Sequence, residues 1–156
     1  TWSAQTQQIE YEAIATVYIQ APSHLQLPHP MMALVSNKQA PAQFVFDRGL
    51  ICQTAKTPGL LAFVASAARE SKEVLEAQVV QQAQDLVKTL GYSAEDTGQL
   101  RVLQTVVEKR ATFACTPNLQ RPSAIPFPSM SVCGDYIEGP YPATLEGAVM
   151  SGIQAI

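Results

Sequence analysis

The residues with the most chemical promise lie near the end of the sequence. Val132-Cys133-Gly134-Asp135 is followed by a loop and then by Tyr141-Pro142-Ala143-Thr144-Leu145-Glu146-Gly147-Ala148-Val149-Met150-Ser151-Gly152. The short run Met130–Cys133 reads as a strand that delivers Gly134, where a ligand can come close to the backbone. Asp135 can accept hydrogen bonds from sugar-like hydroxyls. Pro142 suits the first turn of a helix. The N–H groups of Ala143, Thr144 and Leu145 would then be free at the helix N-terminus, with the positive end of its dipole. That combination suits an electron-rich or anionic ring edge. A Gly-Asp pair before a helix also makes an ordinary turn and cap, and spacing alone leaves both readings open.

Other candidate groups are weaker. His24 and His29 sit in a loop across Pro28 with no evident third ligand, so no metal site is expected and exposed loop histidines are the simpler reading. Cys52, Cys115 and Cys133 are widely spaced and odd in number, which argues against a disulfide framework and suits a reducing compartment. Ser151, in Met150-Ser151-Gly152, lacks the G-x-S-x-G elbow of a serine nucleophile. Asp47-Arg48 could be a substrate-side ion pair or a plain turn pair. Lys109-Arg110 could end a strand near a site or serve packing. Phe44, Phe46, Phe63 and Phe113 could line an apolar channel or simply fill a core. No catalytic acid or base can be named.

The elements that would position these groups can be read along the chain. Residues 9–20, IEYEAIATVYIQ, are β-branched and aromatic with both parities apolar, as in a strand inside a sheet. Further strands are expected at Met32–Val35, Gln43–Asp47, Leu60–Ala65 and Leu100–Ala114. Leu75, Val79, Ala83, Leu86, Val87 and Leu90 make one helical stripe, with Ser71 as N-cap and Gly91 just past the end. Ser93–Gln99 reads as a polar loop, and Pro117–Pro128 as a Pro-rich crossing. The last helix is unusual, because Gly147, Ala148, Ser151, Gly152 and Ala155 run small side chains through it. Each interior glycine costs about 1 kcal/mol relative to Ala. It stops at Ile156 in apolar pattern, which reads as a piece cut from a longer protein at both ends. The expected fold class is α+β: a mixed sheet with one long flanking helix, then a strand–loop–helix.

Composition sets bounds. Of 156 residues, 15% are charged, where soluble domains average about 25%. An apolar fraction of 47% excludes a disordered chain. The net charge of −3 argues against a nucleic-acid partner, which needs a basic patch. No apolar run is long enough for a membrane-spanning helix. Charge this sparse hints at surface that is normally covered.

The run G-D-x(6)-P-A-T-L-E-G-A-V-x-S-G resembles the C-terminal flavin-binding signature of the FAD-dependent amine oxidase and carotenoid/phytoene desaturase superfamily. The resemblance implies that Asp135 hydrogen-bonds the ribityl chain of FAD. It implies that the helix start at Ala143, Thr144 and Leu145, opened by Pro142, points N–H groups at the pyrimidine edge of the isoalloxazine. Gly134, Gly147 and Gly152 would permit the close approach. Tyr11–Tyr18, Phe44-Val45-Phe46-Asp47-Arg48-Gly49, Leu60–Val64, Glu108–Phe113 and Thr116-Pro117 look like one branch, the squalene-associated FAD-dependent desaturases or hydroxysqualene dehydroxylases. The match runs in order over nearly the whole chain.

One departure matters. That superfamily opens with a strand–G-x-G-x-x-G–helix unit for the ADP half of FAD, and no such motif occurs here. The resemblance therefore implies the C-terminal part of a flavoenzyme: residues 1–114 as most of a substrate-binding domain and 115–156 as the return segment of the FAD domain. The missing N-terminal FAD domain would be its first partner, and the piece alone would be inactive. The implied activity is reductive removal of the hydroxyl of hydroxysqualene, a C30 isoprenoid lipid, to give squalene in bacterial hopanoid biosynthesis. Hydride would pass from flavin N5 to an allylic or carbocation-like centre. Such an enzyme would be cytoplasmic, with peripheral attachment at the inner membrane. An amine oxidase, a carotene desaturase and a non-enzymatic lipid-binding module stand as alternatives. A corollary is that exposed apolar surface should gather around Gly134–Ile156 and on the sheet face bearing Phe44 and Phe46.

Overall fold

The computed structural model describes residues 1–52 and 57–155. Ile156, on which the reading of the chain end rested, lies outside the described residues. The described residues hold five strands and five helices. They are α1 (Trp2–Gln7), β1 (Tyr11–Gln20), β2 (Met31–Ala33), β3 (Phe44–Asp47), α2 (Arg48–Ile51), β4 (Leu60–Ser66), α3 (Lys72–Thr89), α4 (Ala94–Gly98), β5 (Arg101–Phe113) and α5 (Leu145–Gln154). The architecture is α+β, with a single sheet in the order β2-β3-β4-β1-β5. The chain divides into two compact units, Ala13–Lys109 and, separately, Thr1–Glu12 with the stretch from Arg110 onward.

The ladders β2–β3, β3–β4 and β4–β1 are antiparallel, where the sequence suggested mixed pairing. The connections explain the difference: none of these neighbours is joined by the long crossover helix that parallel pairs need. Register then sorts the side chains. Ala15, Val17 and Ile19 share one face with Leu61, Phe63, Ala65 and Val45, nearly all of them fully buried. Helix α3 lays its stripe of Leu75, Val79, Ala83 and Val87 into the same core. Each of the buried Leu, Val, Ile and Phe side chains contributes about 1.5–3 kcal/mol relative to exposure, so this layer holds the unit together.

The opposite face carries Ile14, Thr16 and Tyr18 beside Ser66, Val64 and Ala62, then Phe44 and Phe46 beside Ala33 and Met31. It bears no charge at these positions and is only partly buried. That is why β1 is apolar on both parities.

Helix α3 forms where its stripe and caps predict. The Ser71 hydroxyl accepts from Val74 N at 3.4 Å, and Gly91 takes φ +86°, the left-handed turn that ends the helix. Three expectations are corrected. Ser93–Gln99 is not a loop but holds α4, nucleated by a capping box in which Ser93 and Asp96 satisfy each other's backbone N–H. Met130–Cys133 is not a strand: only an isolated bridge pairs Phe127 with Met130, and no neighbouring strand extends it among the described residues. Pro142 does not open the last helix, which begins at Leu145.

Candidate functional site

The site is built within the unit that contains residues 110 onward, from the loop after Cys133 and the start of α5. Thr144 is the N-cap, in extended backbone, and its hydroxyl accepts from Gly147 N at 3.0 Å and donates to Tyr141 O at 2.7 Å. Tyr141 and Ala143 both adopt left-handed backbone, φ 58° and 56°, which is incompatible with a helix running from Pro142. Sequence held the signal: Thr is a far better N-cap than its neighbours, and Glu146 in the first turn favours the same start.

This geometry redistributes the expected donors. Ala143 N–H is turned inward and donates to Asp135 O at 3.4 Å. The open donors at the helix start are those of Leu145 and Glu146, which have no intrahelical acceptor. Asp135 is half-buried, and its carboxylate makes no hydrogen bond or ion pair among the described residues. Asp135 and Gly147 line one small cleft, with Ile137, Met150 and Ser151. Pro142 lies apart from it, exposed at the turn.

The glycines have local reasons as well. A Cβ on Gly134 would meet the Tyr136 ring at 2.5 Å, and one on Gly147 would meet Tyr141 O at 2.2 Å. So both vacancies are filled by the chain's own loop. A Cβ on Gly152 would meet nothing within 4 Å. Burial raises the Tyr136 phenol above its ordinary pKa, and the neighbouring Cys133, Tyr11 and Asp135 add to the shift.

Two residues that matter here were not singled out for the site by sequence. Ser151, 8% exposed, accepts from Gly134 N at 2.8 Å, and its hydroxyl faces the carbonyls of Gly134 at 3.1 Å and Ala148 at 2.8 Å. Arg121 donates from Nη1 to Ile137 O at 2.7 Å and from Nη2 to Gly139 O. A buried serine on an apolar helix was the only signal for the first. Nothing in the sequence marked the second.

The remaining candidates resolve into structural roles. Asp47 is 2% exposed and accepts from Leu27 N at 3.0 Å and Leu50 N at 3.1 Å, capping α2 and pinning the Pro-rich link. It sits at a turn and not at the surface, and it lines a cleft with Ser23, His24 and Gln26. Arg110 stacks over the Tyr11 ring, 5.5 Å from its centroid. His24 lies 2.9 Å from Asp96. Among the described residues no three His, Cys, Asp or Glu side chains converge as a metal site. Phe63 and Phe113 are buried, Phe46 is half-buried, and Phe44 is exposed.

The loop and the start of α5 thus bring together a half-buried carboxylate that makes no hydrogen bond among the described residues and open helix N–H groups. Known proteins bear on the same question. The family model for flavin-containing amine oxidoreductase matches residues 3–155. The chain belongs to that family. Among curated proteins, none matches the sequence. Two solved structures share the fold at 16% identity, each over 97% of this chain. One is an oxidoreductase from Methanosarcina mazei, with a TM-score of 0.60, and the other carries the provisional name protoporphyrinogen oxidase, from an Exiguobacterium species, with a TM-score of 0.54. The chain spans 36% of the length of each. It is a member of a flavin-dependent oxidoreductase family, by a match that runs nearly end to end.

Proposed function

We propose that this chain is the C-terminal part of an FAD-dependent oxidoreductase acting on a C30 isoprenoid, removing the hydroxyl of hydroxysqualene to give squalene. Asp135 holds the flavin through a ribityl hydroxyl, and the N–H groups of Leu145 and Glu146 face its pyrimidine edge. Of the donors read from sequence, Ala143, Thr144 and Leu145, this keeps Leu145, adds Glu146 and leaves Ala143 as a loop brace. The observation that carries the flavin contact is Asp135 itself, a half-buried carboxylate without a partner. A carboxylate in that setting is stabilised by donors supplied from outside.

The flavin, when bound, supplies hydride chemistry that no side chain can. The chain's own residues orient it, exclude water and place positive dipole where charge gathers. The substrate class is supported by the apolar stretch of sheet face at Ile14, Tyr18, Phe44, Phe46 and Val64, which suits a hydrocarbon chain. Residues 1–114 would carry the substrate side and 115–156 the flavin side, completed by an N-terminal FAD domain. Peripheral attachment at the cytoplasmic face of a bacterial inner membrane fits a lipid substrate. No helix is long and apolar enough to cross a membrane among the described residues.

The test is product analysis of the full-length protein, incubated with hydroxysqualene and a reductant or with an amine panel and peroxide detection. Squalene is the expected product. Peroxide from amines with no squalene would overturn the substrate assignment.

A further inference from the structure

The loop that carries Asp135 is gripped at both ends by side chains the flavin reading does not use. At its start, the buried Ser151 hydroxyl, projecting from the second turn of α5, accepts from Gly134 N at 2.8 Å and lies 3.1 Å from Gly134 O. This joins the residue before Asp135 to the same helix whose first N–H groups are open. Further along, Arg121 spans two carbonyls, Ile137 O at 2.7 Å and Gly139 O, while the adjacent Pro122 O accepts from Glu138 N at 2.9 Å. A planar guanidinium can bridge two acceptors in a fixed geometry, which an ammonium cannot. Between the two grips, Asp135 O accepts from Ala143 N, so its backbone is fixed while its carboxylate stays unpartnered.

We propose that Ser151 and Arg121 are positioning residues for Asp135: they hold its carboxylate in register with the α5 N-terminus so that both can meet one flavin. The proposal rests on the flavin reading above. Neither residue touches the flavin in this scheme. Each acts only through the loop, so its effect on flavin binding should vanish once the Asp135 carboxylate is gone.

A double-mutant cycle in the full-length, FAD-loaded protein tests this. FAD release is followed by the fluorescence of the freed cofactor, and circular dichroism confirms folding. Ser151→Ala and Arg121→Gln should each weaken FAD binding by about fivefold to tenfold, a lost hydrogen bond's worth. In an Asp135→Ala background the same substitutions should change it by less than about twofold. Arg121→Lys, which keeps the charge but not the two-carbonyl fork, should resemble Arg121→Gln. It also carries the test if Ser151→Ala does not fold. Equal losses in both backgrounds would overturn the proposal, because the two residues would then act independently of Asp135. No loss in either background would also overturn it. If Asp135→Ala alone leaves FAD binding unchanged, the flavin role of Asp135 falls and this proposal with it, an outcome distinct from additivity.

Discussion

At the scale of single residues, several groups that looked chemical turn out to be structural, and burial decides which. Asp47 accepts two backbone N–H bonds inside the core, so Asp47→Ala should destabilise the fold by about 2–3 kcal/mol by leaving buried donors without an acceptor. Denaturant unfolding measures it, and a loss under 0.5 kcal/mol, about what a surface site gives, would contradict the assignment. Tyr136 gives a pH signature of known sign. Its folded pKa is raised by burial, so the folded state keeps the phenol protonated at pH values where the unfolded chain has lost that proton. Stability from this group is therefore complete below about pH 10, the unfolded value, and declines as pH rises toward the folded one. Tyr136→Phe should remove that alkaline decline, and an unchanged alkaline unfolding profile would rule Tyr136 out. The sequence singled out Asp135 through the Gly before it, the helix start after it and the family resemblance of the whole run. It could not reveal Ser151 or Arg121, because their bonds go to backbone atoms far along the chain, and backbone acceptors leave no trace in side-chain identity.

At the scale of elements, legibility followed local physics. Helix α3 could be read to the residue, since its stripe, its Ser71 cap and Gly91 all agree. The strands could be read because their apolar runs are bounded by Pro and Gly. Failures came where a neighbour decides: Met130–Cys133 has strand composition but no partner, and a strand exists only in a pair. The start of α5 moved because two left-handed residues, Tyr141 and Ala143, delay it to Thr144. The glycines of α5 offer a paired prediction. Gly152→Ala should stabilise the helix by about 0.5–1 kcal/mol, since its Cβ would enter open space. Gly147→Ala should instead destabilise the chain, since its Cβ would meet the Tyr141 carbonyl at 2.2 Å. Thermal unfolding separates the two, and equal shifts of the same sign would contradict the packing described.

At the scale of the whole molecule, the sparse charge acquires a physical setting. Leu145, Val149 and Ile153 repeat along α5 at 88%, 60% and 68% exposure, an apolar stripe left uncovered by the described residues. Tyr141 near it, and Phe44 with Met31 on the sheet, are exposed too. Most exposed large apolar residues lie elsewhere, at Tyr11, Val35, Ile51 and Val74, at Leu103, Val106 and Val107 on β5, and at Ile125, Phe127 and Met130, so the expected gathering around Gly134–Ile156 and the Phe44–Phe46 face is not what the structure shows. If the rest of a parent flavoenzyme covers α5, Ile153→Asp should cost the full-length protein about 2 kcal/mol or more, as for a buried charge, rather than the half kcal/mol typical of exposed sites. The proposed hold of Asp135 and the α5 N-terminus on a flavin is tested most directly by the visible absorption of the purified full-length protein. The native protein should carry bound FAD, and Asp135→Ala should weaken its retention by about 1.5–3 kcal/mol, roughly tenfold or more. A colourless native protein that takes up no FAD, or a variant with unchanged flavin occupancy, would contradict it.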